Sequence, residues 1–169
     1  MNLKPDMYKK DVFQINYDLL KQMNIKNIFF DLDNTLLKYQ DDLPSKEVIN
    51  LINKLKQDFK VFLFSNSHSK RLMRVKKILD VEVYYSSMKP LKKNYKKVLK
   101  EYKKSTCAFI GDQFMTDILG AKRNDLYIIL VDRISDKEPF YTKFWRFFEW
   151  FIIKNYKRKD IFIKGRYYE

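Results

Sequence analysis

The feature that most constrains this chain is a rhythm. Short unbroken apolar runs, several of them halted by acidic or hydroxyl residues, alternate with segments whose apolar residues recur at helical spacing. The runs are Asn27–Phe30, Lys60–Phe64, 81–85, 106–110 and 126–131. Each is short; most lack polar alternation and read as strands covered on both faces, and 81–85, which carries Glu82 between Val81 and Val83, reads as a further strand. Between them, 45–57 sets Val48, Leu51, Ile52 and Leu55 at i, i+3, i+4 and i+7, behind Pro44 and Ser45, which suit a helix start. Segment 69–79 reads as a helix through Leu72, Met73, Val75 and Leu79, and 91–102 reads as another through Leu91, Tyr95, Val98, Leu99 and Tyr102. A short helix fits 116–124. Strands alternating with helices predict a mostly parallel sheet in a Rossmann-like three-layer α/β/α sandwich.

A length of 169 residues, 46% of them hydrophobic, suits one core that needs no covalent staple. The lone cysteine, Cys107, excludes a disulfide framework and a cysteine-rich zinc site, and three glycines exclude a glycine-rich phosphate loop. Residues 1–135 are expected to form the core and 136–169 a helix and tail. Met1 to Lys10 carries no apolar signal segment, which predicts a cytoplasmic protein, and no apolar run approaches a spanning length.

In a parallel sheet, ligands gather beyond the carboxyl ends of the strands. Asp31, Leu32, Asp33, Asn34 and Thr35 follow the first run, Ser65, Asn66 and Ser67 the second, and Gly111, Asp112 and Gln113 the fourth, with Asp117 five residues after Asp112. Lys89 and Pro90 open the helix after the third run. Singly, such aspartates cap helices and turn chains. Together they would bring carboxylates, a hydroxyl, an amide and an ammonium to one rim. Asp31, Asp33 and Asp112 offer hard oxygen ligands of the kind Mg²⁺ takes, and clustered carboxylates repel unless a cation separates them. Ser65, the amides near Asn66, and Lys89 can hold phosphate oxygens. A carboxylate placed there can attack phosphorus, and a second can move the proton.

The spacing of these residues resembles the haloacid dehalogenase superfamily of phosphatases. Asp31, Asp33 and Thr35 match its Asp-x-Asp-x-Thr turn, Ser65 its strand-end hydroxyl, Lys89 its lysine, and Gly111, Asp112 and Asp117 its Gly-Asp-x4-Asp segment. The stretches DLDNTLL, SNS, KP and GDQFMTDILGAKRNDLY look like the YqeG-type branch of subfamily IIIA, which includes mitochondrial phosphatidylglycerophosphate phosphatases. The likeness runs over roughly residues 3–155. It implies Asp31 as nucleophile and metal ligand, and Asp33 as general acid and base that also ligates Mg²⁺ through its backbone carbonyl. It implies Ser65, Asn66 and Lys89 as phosphate holders, with Lys89 also anchoring Asp31, Thr35 on the phosphate-binding side as support for the Asp31–Asp33 loop, Asp112 as a further metal ligand, and Asp117 as the outer support.

Members of that superfamily often carry an inserted cap. Here 33 residues separate Asp31 from Ser65 and 23 separate Ser65 from Lys89, room for one helix each. A capless, open site is expected, able to admit a phosphate on a bulky carrier. Lid closure is the usual way to enclose a small substrate, although a partner subunit can serve as a lid.

The net charge is +14, carried by 28 lysines and seven arginines. This attracts polyanions, but direct base reading favours arginine forks, so sequence-specific nucleic-acid binding is not expected. Eight lysines fall within 89–104, either a solvated helix face or a positive surface beside the site. Segment 140–153, FYTKFWRFFEWFII, is ten-fourteenths apolar, with Thr142, Lys143, Arg146 and Glu149 on one narrow helical stripe and Lys154, Lys157, Arg158 and Lys159 after it. Aromatics beside lysines make an interfacial anchor for an anionic phospholipid surface, or else a face packed on protein. The substrate the resemblance favours is phosphatidylglycerophosphate, met at the inner face of the membrane. A nucleic-acid or protein phosphate, or a non-enzymatic membrane-associated module, are the alternatives. Oligomeric state is left open. His68 and Cys107 read as incidental, and Gly120 as a point of close helix packing.

Overall fold

The structure, a computed structural model, describes residues 3–66, 69–85, 89–91, 95–96, 99–138 and 140–169, with the side chains of 140, 141 and 143 excepted. Six strands form one sheet: β1 (Met7–Lys9), β2 (Asn27–Phe30), β3 (Lys60–Phe64), β4 (Glu82–Tyr84), β5 (Cys107–Gly111) and β6 (Tyr127–Val131). Their order is β1-β6-β5-β2-β3-β4, and every pairing is parallel. The helices are α1 (Tyr17–Gln22), α2 (Lys46–Leu55), α3 (Lys70–Leu79), α4 (Leu119–Lys122) and α5 (Phe140–Arg158).

Side chains along each central strand alternate between two buried layers, as the pleat requires. Ile28, Phe30, Val61, Leu63, Ala108, Ile110 and Ile129 face α1, α2 and α3, where Leu20, Val48, Ile52, Leu55, Leu72, Val75 and Leu79 meet them. Phe29, Phe62, Phe64, Phe109, Ile128 and Leu130 face the other way, onto Tyr95, Ile118, Leu119, Ala121 and Phe162, with Ile152 and Ile153 of α5 partly covered. The three-layer sandwich is thus built from two apolar interfaces, each fully buried large side chain stabilising by about 1.5–3 kcal/mol. Phe29 and Phe62 stack with ring centroids 4.8 Å apart, which ties β2 to β3 on the aromatic side.

Capping sets the helix starts. The Ser45 side chain accepts from the Val48 amide and the Ser69 side chain from the Leu72 amide, each filling an otherwise orphaned donor. Segment 116–124 is divided: Phe114–Ile118 forms a single π-type turn that runs into α4. Gly120 earns its reading as a close-packing point, because a Cβ there would stand 2.5 Å from the Tyr95 hydroxyl. Most of the expected helix over 91–102, together with Ser67 and His68, lies outside the described residues; Tyr95 and Lys96 are helical, and Leu99 and Lys100 form a turn.

Two elements were not expected. β1 is three residues long and pairs with β6 at the sheet's outer edge, where Tyr8 also bridges antiparallel to Tyr168. α1 is one and a half turns, capped by Asn16. The interval from Asp31 to Ser65 holds one helix, α2, and no inserted domain. No helix among the described residues is long and apolar enough to cross a membrane.

Candidate active site

β2, β3 and β5 lie side by side at the centre of the sheet and end at the same rim, so their following residues converge. A cavity of about 160 Å³ opens there, walled by Asp31, Asp33, Ser65, Asn66, Lys89, Asp112 and Asp117. All but one of the residues expected in the site therefore share one hollow. The exception is Thr35, buried beneath it, whose hydroxyl lies 3.4 Å from Asp112 Oδ1 and so supports that carboxylate rather than the cavity wall.

Lys89 is the pivot. Its Nζ donates to Asp31 Oδ1 at 2.5 Å and to Asp117 Oδ1 at 2.7 Å, and all three residues are buried. Asn66 fastens it from behind: the Lys89 amide donates to Asn66 Oδ1 at 2.7 Å, and Asn66 Nδ2 donates to the Lys89 carbonyl at 3.3 Å. Asp117 is held at both ends, because its Oδ2 accepts from the Gln113 amide at 3.1 Å. Gly111 makes room for this, since a Cβ there would stand 2.5 Å from Asp117 Oδ2.

Burial pulls the Lys89 ammonium toward neutrality, but the facing Asp117 and Asp31 carboxylates outweigh it and its pKa is raised. The Asp31 carboxyl is held well above the usual range, by desolvation first and then by Asp117, Asp112 and Asp33 against the opposing pull of Lys89. Asp112 is pushed up to about 7, again by desolvation, with Arg146 pulling down and Asp117 pushing up.

Two arginines complete the site, and neither belongs to an expected motif. Arg71 of α3 gives Nη1 to Asp33 Oδ1 at 2.5 Å, Nε to the Asp41 carbonyl and Nη2 to the Lys38 carbonyl, pinning the loop after β2. Arg146 of α5 bonds the Asp112 carboxylate, and also Glu138 and Glu149. Three residues of the polar stripe of α5 face inward: Thr142 and Arg146 line the cavity beside Trp145, and Glu149 is buried, while the Lys143 side chain lies outside the described residues. The opposite face is aromatic and open, with Phe144 60%, Phe147 58%, Trp150 52%, Phe151 51% and Phe148 42% exposed. The signal available in the sequence was the stripe itself, a charged seam in a helix otherwise too apolar for solvent.

Around the cavity, among the described residues, Asp31, Asp112, Asp117, Glu138 and Glu149 form ion pairs with Lys89 and Arg146, and Asp33 pairs with Arg71. One carboxylate oxygen from each of Asp31, Asp112 and Asp117 lies within 4.8 Å of the others. An all-oxygen donor set, short of positive charge and with two carboxyls pushed upward by mutual repulsion and burial, fits a hard divalent cation such as Mg²⁺. Asp31 has a donor on Oδ1 alone, whereas both oxygens of Asp117 and both of Asp112 have donors, so a cation shared by Asp31 and Asp112 would take the place of the Arg146 contact or the long Thr35 contact.

Fold and rim together define a Rossmann-like α/β hydrolase of the clustered-aspartate type. Residues 37–125 match the haloacid dehalogenase-like hydrolase family, a span that starts just beyond Thr35 and takes in Ser65, Lys89, Asp112 and Asp117, and the chain belongs to that family. It is 34% identical over 158 residues to the Bacillus subtilis (strain 168) protein named "Probable phosphatase YqeG", covering 92% of each. Its fold is similar to that of the Bacillus subtilis protein YfnB, described as a HAD-hydrolase bound to magnesium (TM-score 0.54, 11% identity, 65% of this chain and 95% of that one). A subfamily III A hydrolase of the same superfamily from Legionella pneumophila is similar too (TM-score 0.51, 17% identity, 70% and 72% covered).

Proposed function

We propose that this chain is a phosphomonoester hydrolase that works through an aspartyl-phosphate on Asp31 and acts on a phosphate carried by a membrane lipid, phosphatidylglycerophosphate being the favoured substrate. The observation that carries the chemistry is the convergence of Asp31, Lys89, Asp112 and Asp117 at the carboxyl rim of the sheet. Mg²⁺, held by Asp31, Asp112 and the Asp33 backbone carbonyl, would supply positive charge to the phosphoryl oxygens.

Lys89 fixes Asp31 Oδ1, which leaves Oδ2 as the attacking atom. That oxygen bonds to phosphorus, the ester P–O bond breaks, and the departing alkoxide takes a proton from the Asp33 carboxyl. In the second half Asp33 takes a proton from water, the water oxygen bonds to phosphorus, and the bond to Asp31 breaks. Inorganic phosphate leaves, and both aspartates return to their starting states. Arg71 keeps Asp33 in place through both halves. Ser65 and the amides after β3 receive the remaining phosphoryl oxygens, and Lys89 offsets their charge.

The lipid reading is supported by α5. Its charged seam is fastened to the site, its aromatic face is open, and Lys154, Lys157 and Arg158 follow near its end, with Lys154 Nζ 4.7 Å from the Trp150 ring centroid. Aromatics at the headgroup level beside cations suit an anionic leaflet, the inner face of a membrane reached from the cytoplasm. Such docking would present the cavity mouth to a headgroup without extracting the lipid. Vesicles containing phosphatidylglycerophosphate are expected to release inorganic phosphate with the protein and Mg²⁺, and Asp31→Asn is expected to abolish release. Release only from oligonucleotide or peptide phosphates would move the substrate to those classes, and release surviving Asp31→Asn would overturn the nucleophile.

A further inference from the structure

Arg146 holds more carboxylates than one positive charge can balance. Its Nε donates to Glu138 Oε1 at 3.0 Å and to Oε2 at 3.2 Å, and its Nη2 to Glu138 Oε1 at 2.5 Å. Its Nη1 donates to Glu149 Oε2 at 3.0 Å and to Oε1 at 3.2 Å. Toward Asp112 it makes two contacts: Nη2 bonds carboxylate Oδ2, and Nη1 donates to the backbone carbonyl at 3.2 Å. Glu138 and Glu149 are buried side chains, 5% and 10% exposed, so they keep the guanidinium paired whether or not the Asp112 carboxylate does.

Asp112 is the contested group. Its Oδ2 carries Arg146, and its Oδ1 has the Thr35 hydroxyl at 3.4 Å, near the limit of a hydrogen bond. One of its oxygens lies within 4.8 Å of oxygens of Asp31 and Asp117, and among the described residues no other group of three metal-ligating side chains comes together. Whichever Asp112 oxygen a divalent cation takes, the cation and the guanidinium would share one carboxylate that is 4% exposed. Like charges that close, with little water between them, repel strongly. The cation has nowhere else to go among these residues, whereas Arg146 has two standing partners. We infer that Arg146 and the divalent cation exclude one another at the Asp112 carboxylate, so that Arg146 sets how tightly the site holds metal. On loading, Arg146 Nη2 leaves Asp112 Oδ2 and the guanidinium stays with Glu138 and Glu149. The setting residue lies on α5, beyond the 37–125 span that matches the family. The inference rests on the cation site of the phosphatase reading and deepens it.

Calorimetric titration of the full-length protein with MgCl₂ measures the exchange. In Arg146→Met the Kd for Mg²⁺ is expected to fall at least about 10-fold, the low end of the coupling between close charges. General damage to the fold works the other way, since a disordered rim binds metal more weakly. Lys164→Met is the control for charge alone. That exposed lysine acts on Glu149 through space, lines a neighbouring hollow with Arg146, and pairs with none of the three carboxylates among the described residues. Its loss should change Kd by less than about 2-fold, and equal tightening in the two variants would reduce the exchange to a diffuse field and overturn it. A crystal structure of the native protein grown with Mg²⁺ needs no substitution: the cation is expected on Asp112, with Arg146 released from that carboxylate and kept by Glu138 and Glu149. Mg²⁺ and Arg146 Nη2 together on the Asp112 carboxylate, or an unchanged or weaker Kd in Arg146→Met, would overturn the inference and leave the cation site standing. No Mg²⁺ bound by either protein would sink the cation site itself.

Discussion

Replacing Arg146 with methionine keeps the length of the side chain and removes its charge. In the native protein the guanidinium faces Asp112, Glu138 and Glu149, whose side chains are 4%, 5% and 10% exposed, and is itself 17% exposed. Burial opposes its charge, but those three carboxylates outweigh it and raise its pKa. Stripping one partner from a buried ion pair costs about 3–5 kcal/mol. Asp112, pushed up to about 7, can take a proton, and burial raises Glu149 against the pull of Arg146, so the loss near neutral pH should fall at about 3 kcal/mol. At about 2–4 °C per kcal/mol for a chain of this size, Tm should drop by roughly 6–12 °C in EDTA. Adding Mg²⁺ should restore part of this, and should raise Tm more in Arg146→Met than in the native protein, because the cation replaces the lost charge beside Asp112. Urea unfolding can be followed twice, by far-ultraviolet dichroism for the whole molecule and by tryptophan fluorescence for α5, which carries both tryptophans. Coincident transitions are expected, since the helix is anchored at the site. A loss below about 1 kcal/mol, or identical Mg²⁺ shifts in the two proteins, would refute the claim that this seam joins α5 to the catalytic rim.

The upward-shifted carboxyls make a second prediction. A folded Asp112 near 7 against an ordinary 3.8 gives stability that is present below about pH 4 and lost as pH rises through 7, a swing on the order of 4 kcal/mol in metal-free protein. The Tm increment from Mg²⁺ should accordingly be small at pH 5 and grow to a plateau above about pH 7.5, and a flat increment across that range would contradict the cation assignment. On the outer face of α5, Phe147→Ser, Trp150→Ser and Phe151→Ser together remove three half-exposed rings worth about 1 kcal/mol each at an interface. Co-sedimentation with anionic vesicles should weaken about 100-fold, and unchanged binding would move the aromatic face to a protein partner.

Much of this architecture was legible because burial on two faces writes itself as unbroken apolar runs. Asn27–Phe30 and Lys60–Phe64 stand where the spacing put them, and the polar residues after β2, β3 and β5 meet because those strands are neighbours. β1 was illegible: the three residues Met7, Tyr8 and Lys9 carry no periodicity, and only pairing with β6 makes them a strand. Arg71 was illegible for a similar reason, being one of several cations on α3, with nothing local marking that it reaches 38 positions back to Asp33. Arg146 was half legible. Its stripe was visible, but a stripe gives a direction without saying what lies there, and Asp112 is 34 residues away. Thr35 shows the reverse, a motif position that packs beneath the carboxylate next to the cavity instead of inside it.

Because all six strands run the same way, the molecule has a second rim, remote from the chemistry. There Asn27 Nδ2 bonds the carbonyl and hydroxyl of Thr106, and the Lys26 amide bonds the Thr106 carbonyl, lacing the starts of β2 and β5 together. That lacing lies at the end of the sheet opposite the reactive carboxylates. A laboratory wishing to harden this protein can work at that end, around Asn27 and Thr106, and leave its chemistry alone.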